Sequence, residues 1–172
     1  MTRRNDRWII PLLLAITAIS VCVAVWALFF REPAAPDFPD YPPQQLEDNA
    51  VPIPDDGQDE LEAPEGGGAV GLVYSNQVSV DLQGEQASLL FANPGKSTQD
   101  MMLQILVQDT VIASSGRLVP GKQIQRLPLL SGVSSQLSPG SYEGTFVVSY
   151  LNQDTGEKAI LTTEIPVTIT TG

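Results

Sequence analysis

The sequence contains no histidine and only one cysteine, Cys22, which lies inside a run of apolar residues. A serine-histidine triad, a histidine-bearing zinc site and a solvent-accessible thiol nucleophile are therefore excluded. Positive charge is scarce as well, since nine lysines and arginines stand against twenty acids, which gives a net charge of −11. With no basic stripe to neutralise phosphates, the sequence argues against nucleic-acid binding.

The acidic residues offer little support for catalysis. A glycosidase-like hydrolase needs two carboxyl groups that face one cleft. The acids of the C-terminal part fall instead in predicted turns or on outward strand positions, where we expect them to be solvated: Asp81, Glu85, Asp100, Asp109, Glu143, Asp154, Glu157 and Glu164. We therefore predict a protein that is not an enzyme, without catalytic residues, cofactor or bound metal, and keep a carboxylate-pair hydrolase as a remote alternative.

Near the N-terminus the sequence has one long uncharged run, residues 8–30. As a helix this run would extend about 34 Å, enough to cross a hydrocarbon core of about 30 Å. It is too long for the core of a cleaved signal, and no clear cleavage site follows it. Three arginines precede the run and only Arg31 closely follows it, which predicts a cytoplasmic stub at residues 1–7, a single-pass signal anchor and an extracellular remainder.

Four small side chains lie along one face of this predicted helix at spacings of three, four and three. They are Thr17, Ser20, Ala24 and Ala27. Small residues let helix backbones approach closely in lipid, so this face is a candidate for self-association as a homodimer. The alternative is that a helix with so many small residues forms such a stripe by chance.

Residues 31–68 form the second segment, which contains eight prolines and ends in three glycines. Eleven acids and no base lie between Glu32 and Glu65. Proline, mutual repulsion of the acids and the scarcity of apolar groups predict a disordered linker that holds the following domain away from the membrane. Its acidic run at residues 55–60 lacks the ligand spacing of a calcium loop.

From residue 69 to 172, short runs of aliphatic residues and threonine alternate with turn residues. The pattern predicts eight strands and no helix, which indicates an all-β fold, a two-sheet β-sandwich. The strands are predicted at 70–74, 78–82, 87–91, 101–108, 111–115, 123–127, 142–151 and 158–168.

The last two predicted strands show the clearest alternation. Their core faces are predicted to consist of Tyr142, Gly144, Phe146, Val148 and Tyr150 in one strand, and of Ala159, Leu161, Thr163, Ile165 and Val167 in the other.

The stretch Leu137-Ser138-Pro139-Gly140-Ser141-Tyr142 resembles the Leu-x-Pro-Gly-x-Tyr sequence that precedes the penultimate strand of many immunoglobulin-like and fibronectin-like domains. The resemblance implies an immunoglobulin-like sandwich in which the Tyr142 hydroxyl bonds back to the preceding loop. The layout also resembles small signal-anchored surface proteins of Gram-positive bacteria, which carry a Phe-x-Asn-Pro pattern, here Phe91, Asn93 and Pro94. That group has no assigned function and supplies no site residues.

Apolar residues at four outward positions break the alternation. If the long strands share one sheet, these residues form one exposed apolar patch and a candidate partner-binding surface: Met102, Leu106, Val147 and Ile160. Scattered surface aliphatics, or a bulge that reverses the facing, are the alternative explanation.

Together these observations predict a membrane-anchored, extracytoplasmic module that binds or assembles at a bacterial cell surface, with a protein or a cell-wall component as its partner. The alternative is a carbohydrate or cell-wall binding module. That alternative requires at least two solvent-facing aromatic side chains among Tyr74, Phe91, Tyr142, Phe146 and Tyr150.

Overall fold

The structure, a computed structural model, describes residues 45–54 and 68–172, together with Leu12, Ile16, Thr17 and Ser20. By its internal contacts the chain divides into two units, Met1–Phe38 and Pro39–Gly172. The four isolated residues belong to the first unit and are helical. The described part of the second unit is built from β-strands.

All eight predicted strands are present, with ends shifted by up to a few residues, and one further strand precedes them. The all-β class is therefore confirmed. The strands are β1 Ala50–Pro52, β2 Val73–Tyr74, β3 Gln77–Asp81, β4 Gln86–Asn93, β5 Gln99–Val107, β6 Thr110–Ser114, β7 Lys122–Pro128, β8 Gly140–Asn152 and β9 Lys158–Thr171.

The strands form one curled sheet in the order β1-β7-β4-β3-β9-β8-β5-β6, and β2 pairs with β4. Strand β3 joins the two halves of the sheet, because it pairs antiparallel with β4 and parallel with β9. The two halves meet across the core, where the Phe91 ring of β4 contacts the Phe146 ring of β8 edge to face at a centroid distance of 6.2 Å. Both rings are completely buried.

The predicted facing of the last hairpin is largely confirmed. Phe146, Val148 and Tyr150 of β8 and Ile165 and Val167 of β9 all belong to the buried core.

Tyr142, at the start of β8, packs against this core. Its hydroxyl donates to the Ser138 carbonyl at 2.8 Å and accepts from the Ser138 amide at 3.2 Å. The bond to the preceding loop that the resemblance implies is therefore present.

Leu161 is the exception in this hairpin, since it is 72% exposed although the alternation placed it in the core. The register explains the difference. Ser149 pairs with Thr162, but Leu151 pairs with Lys158, so three residues of β9 stand opposite one residue of β8. The two extra residues form a bulge that carries Leu161 out to solvent, while Ala159 on the far side of the bulge again packs against the core.

Residues 45–54, which we call the strap, are part of the β-structure. Strand β1 pairs with β7 over three residues, and the Arg117 amide donates to the Gln45 carbonyl at 3.0 Å. The expectation of a disordered linker therefore does not hold for these ten residues, whereas most of the remainder of 31–68 lies outside the described residues. Pro52 suits an edge strand, because an edge position does not require its missing amide hydrogen.

Asn93 joins three segments beneath the end of β4 and is completely buried. Its Nδ2 donates to the Gln99 carbonyl at 2.9 Å and to the Leu118 carbonyl at 3.0 Å. The Asn93 carbonyl also accepts the Gly121 amide at 2.8 Å. One amide side chain thus fixes the start of β5 and the β6–β7 connection against β4.

We expect Asn93→Ala to lower the free energy of unfolding by about 2 kcal/mol, because the half-buried Gln99 carbonyl and the buried Leu118 carbonyl would each lose an amide donor. Urea denaturation measures this loss. The control is Gln136→Ala, which removes an exposed amide that donates to the Gly132 carbonyl at 3.2 Å and should cost less than about 0.5 kcal/mol. Equal losses in the two variants would contradict the role assigned to Asn93.

Candidate binding surface

Three of the four predicted surface residues lie together on the face of β5 and β8 that points away from the shared core. In the register of these strands, Met102 stands opposite Ser149, Leu106 opposite Thr145, and Val147 opposite Gln104. Ile160 lies apart from them, near the start of β9.

The exposure of these residues corrects the prediction of a single exposed apolar patch. Met102 is 2% exposed, Leu106 is 5% and Val147 is 2%, whereas Ile160 is fully exposed. The prediction was therefore wrong for Met102, Leu106 and Val147, which are not available at the surface. Ile160 alone keeps the exposure that the sequence pattern predicted.

The burial has a simple sequence correlate. Residues 101–107 read Met-Met-Leu-Gln-Ile-Leu-Val, and every one of them is buried. A strand that is covered on both faces carries a nearly continuous apolar run rather than an alternating one. The break in alternation therefore marks a doubly buried strand, in which even Gln104 is 2% exposed.

Asp100, the next residue on this face toward the start of β5, is buried as well. Its side chain is 3% exposed, and its Oδ2 lies 3.0 Å from Nε of Arg117. Arg117 Nε has no hydrogen-bond partner in the described part of the chain, so this contact is an ion pair without a well-aligned hydrogen bond. The expectation that Asp100 is solvated was wrong, because this face of β5 is covered.

Burial raises the pKa of the Asp100 carboxyl above its ordinary value, and the nearby positive charge of Arg117 opposes that shift. Asp100 Oδ1 is buried without a hydrogen-bond partner within residues 45–54 and 68–172. The charged carboxylate is therefore poorly compensated in the folded state.

The bulge in β9 exposes two neighbouring aliphatic side chains, Ile160 and Leu161, which we call the apolar tip. Leu161 is 72% exposed and Ile160 is fully exposed. The preceding turn is held by side-chain hydrogen bonds, since Asn152 Oδ1 accepts the amides of Asp154 at 2.9 Å and Thr155 at 3.0 Å. The apolar tip is therefore presented by a hydrogen-bonded hairpin.

A shallow groove of about 400 Å³ lies beside β8 and β9. Its single charged side chain is Glu143, and its other lining residues include Thr145, Pro166 and Thr168. One exposed carboxyl group without a second acid in the same lining does not form a hydrolytic pair.

Two other acidic side chains stabilise loops by accepting hydrogen bonds. Asp81 Oδ1 accepts the amides of Gln83 and Gly84, and Glu85 Oε1 accepts the Ser134 hydroxyl at 2.7 Å. Among the residues that the structure describes, no three acidic side chains are grouped so that they could hold a metal ion.

The aromatic side chains of the strands are mostly internal. Phe91, Phe146 and Tyr150 are buried, while Tyr74 on β2 is 43% exposed. Tyr142 is half-buried, and its hydroxyl is bonded to Ser138. The described strands therefore present one well-exposed ring, short of the two that the carbohydrate-binding alternative requires.

The candidate helix-association face is described only in part. Thr17 and Ser20 are helical and exposed, and the Ser20 hydroxyl donates to the Ile16 carbonyl at 2.9 Å. Ala24 and Ala27 lie outside the described residues. Within the described parts of the chain, no helix has the length and apolar character needed to cross a membrane.

No protein-family model matches this chain, and no curated protein matches it.

Sequence reasoning missed two surface features, the exposure of Leu161 and the strap. The sequence carries no signal for the exposure of Leu161, because regular alternation accounts for Ile160 facing outward and Leu161 facing inward, and only the register with β8 reveals the bulge. The strap was not recognised as β-structure, because its short apolar run Ala50-Val51-Pro52-Ile53 lies among prolines and acids in the sequence.

We expect Asp100→Asn to change the pH dependence of stability. A raised folded-state pKa means that the native state binds the proton more tightly than the unfolded state, whose reference value is 3.8. The unfolding free energy of the natural chain should therefore fall as pH rises from about 4 through the raised pKa. Because asparagine cannot ionise, the variant should gain stability relative to the natural chain over this interval.

Urea denaturation at several values between about pH 4 and pH 7 tests this expectation. The attraction of Arg117 acts only on the ionised carboxylate and is therefore already contained in the folded-state pKa, so the slope of stability against pH carries the result. Asp154→Asn, in the exposed hairpin turn, is the control. A difference between Asp100→Asn and the natural chain that stays constant with pH would contradict the argument.

Proposed function

We propose that this chain is a membrane-anchored module that makes noncovalent contacts at a bacterial cell surface, either by binding a protein or cell-wall partner or by assembling with other copies. The proposal has three parts, which are the type of β-fold, the membrane anchor and the contact surface.

For the fold, we infer an immunoglobulin-like two-sheet sandwich. The order of the curled sheet supports this, because β7-β4-β3 and β9-β8-β5-β6 are the two halves that face each other across Phe91 and Phe146. The crossing of β3 from β4 to β9 supports it further. So does the bond between the Tyr142 hydroxyl and Ser138, which has the geometry of a tyrosine corner.

For the anchor, we infer that residues 8–30 span the cell membrane once with the N-terminus in the cytoplasm. The support is the uncharged run, the arginines before it, and the helical state of Leu12 and Ile16, which are 61% and 52% exposed. Exposed leucine and isoleucine on a helix are favourable in lipid.

Cysteine labelling in intact cells tests the anchor. In a Cys22→Ser background, Gln153→Cys places a single thiol in an exposed turn. We expect a membrane-impermeant maleimide to label it without lysis, whereas the matched variant Asn5→Cys should be labelled only after lysis. The reverse pattern, or labelling of both thiols only after lysis, would contradict the proposed orientation.

The apolar tip carries the contact part of the proposal. Two adjacent aliphatic side chains in water forgo the favourable free energy of burial, which is about 1.5 to 3 kcal/mol for each fully buried side chain. A bulge at a strand end is a specific feature that re-aims side chains, and here it aims both of them at solvent. A partner that covers Ile160 and Leu161 would recover the lost burial.

Site-specific photocrosslinking of the full chain in its native cells tests this contact. We expect Leu161→p-benzoylphenylalanine to capture a discrete partner, and Ile160→Glu in the same chain to abolish the capture. Leu130, which is 43% exposed, provides the matched control position. A stability change below about 0.5 kcal/mol in Ile160→Glu would confirm that the surface, and not the fold, was altered. Identical products from positions 161 and 130 would contradict a specific contact.

A further inference from the structure

The strap bonds to strand β7 and to the connection between β6 and β7. On one side β1 pairs with β7, the last strand at that end of the body. On the other side Leu46 bridges Arg117, whose neighbour Leu118 pairs with Met101 of β5. The Glu47 amide donates to the Arg117 carbonyl at 3.0 Å, and the Ile53 amide donates to the Gly121 carbonyl at 3.1 Å. The strap is therefore held to the body by strand pairing and main-chain hydrogen bonds.

The strap is held mainly by its main chain and contributes little to the core. Ala50 is the only strap residue that packs against the core, and it has the smallest apolar side chain. Leu46 is 55% exposed and Val51 is 40% exposed. An element with exposed hydrogen bonds and little apolar burial opens at a lower free energy than the strands it covers.

Specific contacts at Glu47 and Gly116 hold the strap in place. Glu47 accepts the Gly116 amide through Oε2 and the Asn49 amide through Oε1. A Cβ at Gly116 would lie 2.9 Å from the Glu47 Cα, so the strap main chain packs directly on this glycine. A larger residue at position 116 would expel the strap without entering the core.

An opened strap would leave the outer edge of β7 without a partner. Such an edge is a template for another strand, and the one sequence known to fit it is residues 45–54. Every copy of the chain carries that sequence. Residues 55–67 connect it to the body and can span at most about 45 Å, which allows the strap to reach a neighbouring copy.

We propose that the strap is exchangeable, and that two copies assemble by placing each strap on β7 of the other copy. This inference rests on the proposed function as a membrane-anchored assembly module, because anchoring would concentrate the copies. The exchange is symmetric and forms the same contacts as the closed chain, so local concentration and the connection set the balance between the two forms.

Intermolecular disulfide trapping of the full chain tests the exchange. Pro52 and Lys122 are opposite residues of β1 and β7. Pro52 has no amide hydrogen, and the Ala50 amide bonds to Glu47 rather than to β7, so positions 50 and 52 belong to non-hydrogen-bonded pairs. The Cα atoms of such pairs lie about 4.5 Å apart, within the range for a disulfide.

In a Cys22→Ser background, one copy carries Pro52→Cys and a second copy, with a tag of different size, carries Lys122→Cys. We expect oxidation of the mixture to accumulate a disulfide-linked heterodimer. Arg126→Cys replaces Lys122→Cys in the matched control, because it lies four residues further along β7, about 13 Å away. Adding Gly116→Val to the copy with Lys122→Cys should abolish the heterodimer.

The double variant Pro52→Cys/Lys122→Cys reports the closed chain and should form its disulfide within one copy at low concentration. The proposal is overturned if that bond closes but the mixture gives no more heterodimer than the Arg126→Cys control. It is also overturned if the double variant fails to close, because the register of the strap would then be wrong. A failed photocrosslink at Leu161 would leave the disulfide result unchanged, so the two proposals fail separately.

Discussion

The architecture depends on one constraint, which is that the apolar faces of the two halves of the sheet must cover each other. Within the described residues, no helix packs on the strands, so β4 and β7 must supply the surface that buries β5 and β8. Curling brings the Phe91 and Phe146 rings into edge-to-face contact at the centre of that core. The single strand β3 makes the curl possible, because it bonds to both halves at once. The strap and the apolar tip lie outside this core.

Polar side chains inside the structure have two different effects. Asn93 is buried with both hydrogens of its amide group directed at main-chain carbonyls, so it ties β4 to β5, with which β4 shares no strand pairing, and to the β6–β7 connection. Asp100 is equally buried, but Arg117 satisfies only part of its carboxylate, and burial raises its pKa. The first side chain strengthens the fold at every pH at which the protein is native. The second makes stability depend on protonation, since an ionised carboxylate with an unpaired oxygen is costly in a covered site.

Local patterns predicted the strands but not what covers them. The alternation of Phe146, Val148 and Tyr150 was sufficient to orient β8, and the Pro-Gly-x-Tyr stretch was sufficient to locate the bond of Tyr142. The prediction that Leu161 faces the core was wrong, because a bulge depends on the register between two strands and leaves no local signature in the sequence. The predicted exposure of three other side chains was wrong for a different reason. The pattern along one strand does not show whether its second face is covered, as it is at Met102, Leu106 and Val147. Strand β1 was missed because only its distant pairing with β7 makes three residues of a proline-rich stretch into a strand.

The parallel pairing of β3 with β9 governs the order in which the fold can be completed. Its partners, such as Gln77 and Thr168, are more than ninety residues apart along the chain, and the Gly172 amide closes the same junction by donating to the Val80 carbonyl at 3.0 Å. Contacts between such distant residues form slowly, because a long loop must close before any of them contributes. During synthesis the early strands would therefore wait with Val78 and Val80 uncovered until the final segment emerges. Until then these apolar side chains are exposed, and an incomplete chain with exposed apolar side chains is prone to aggregate.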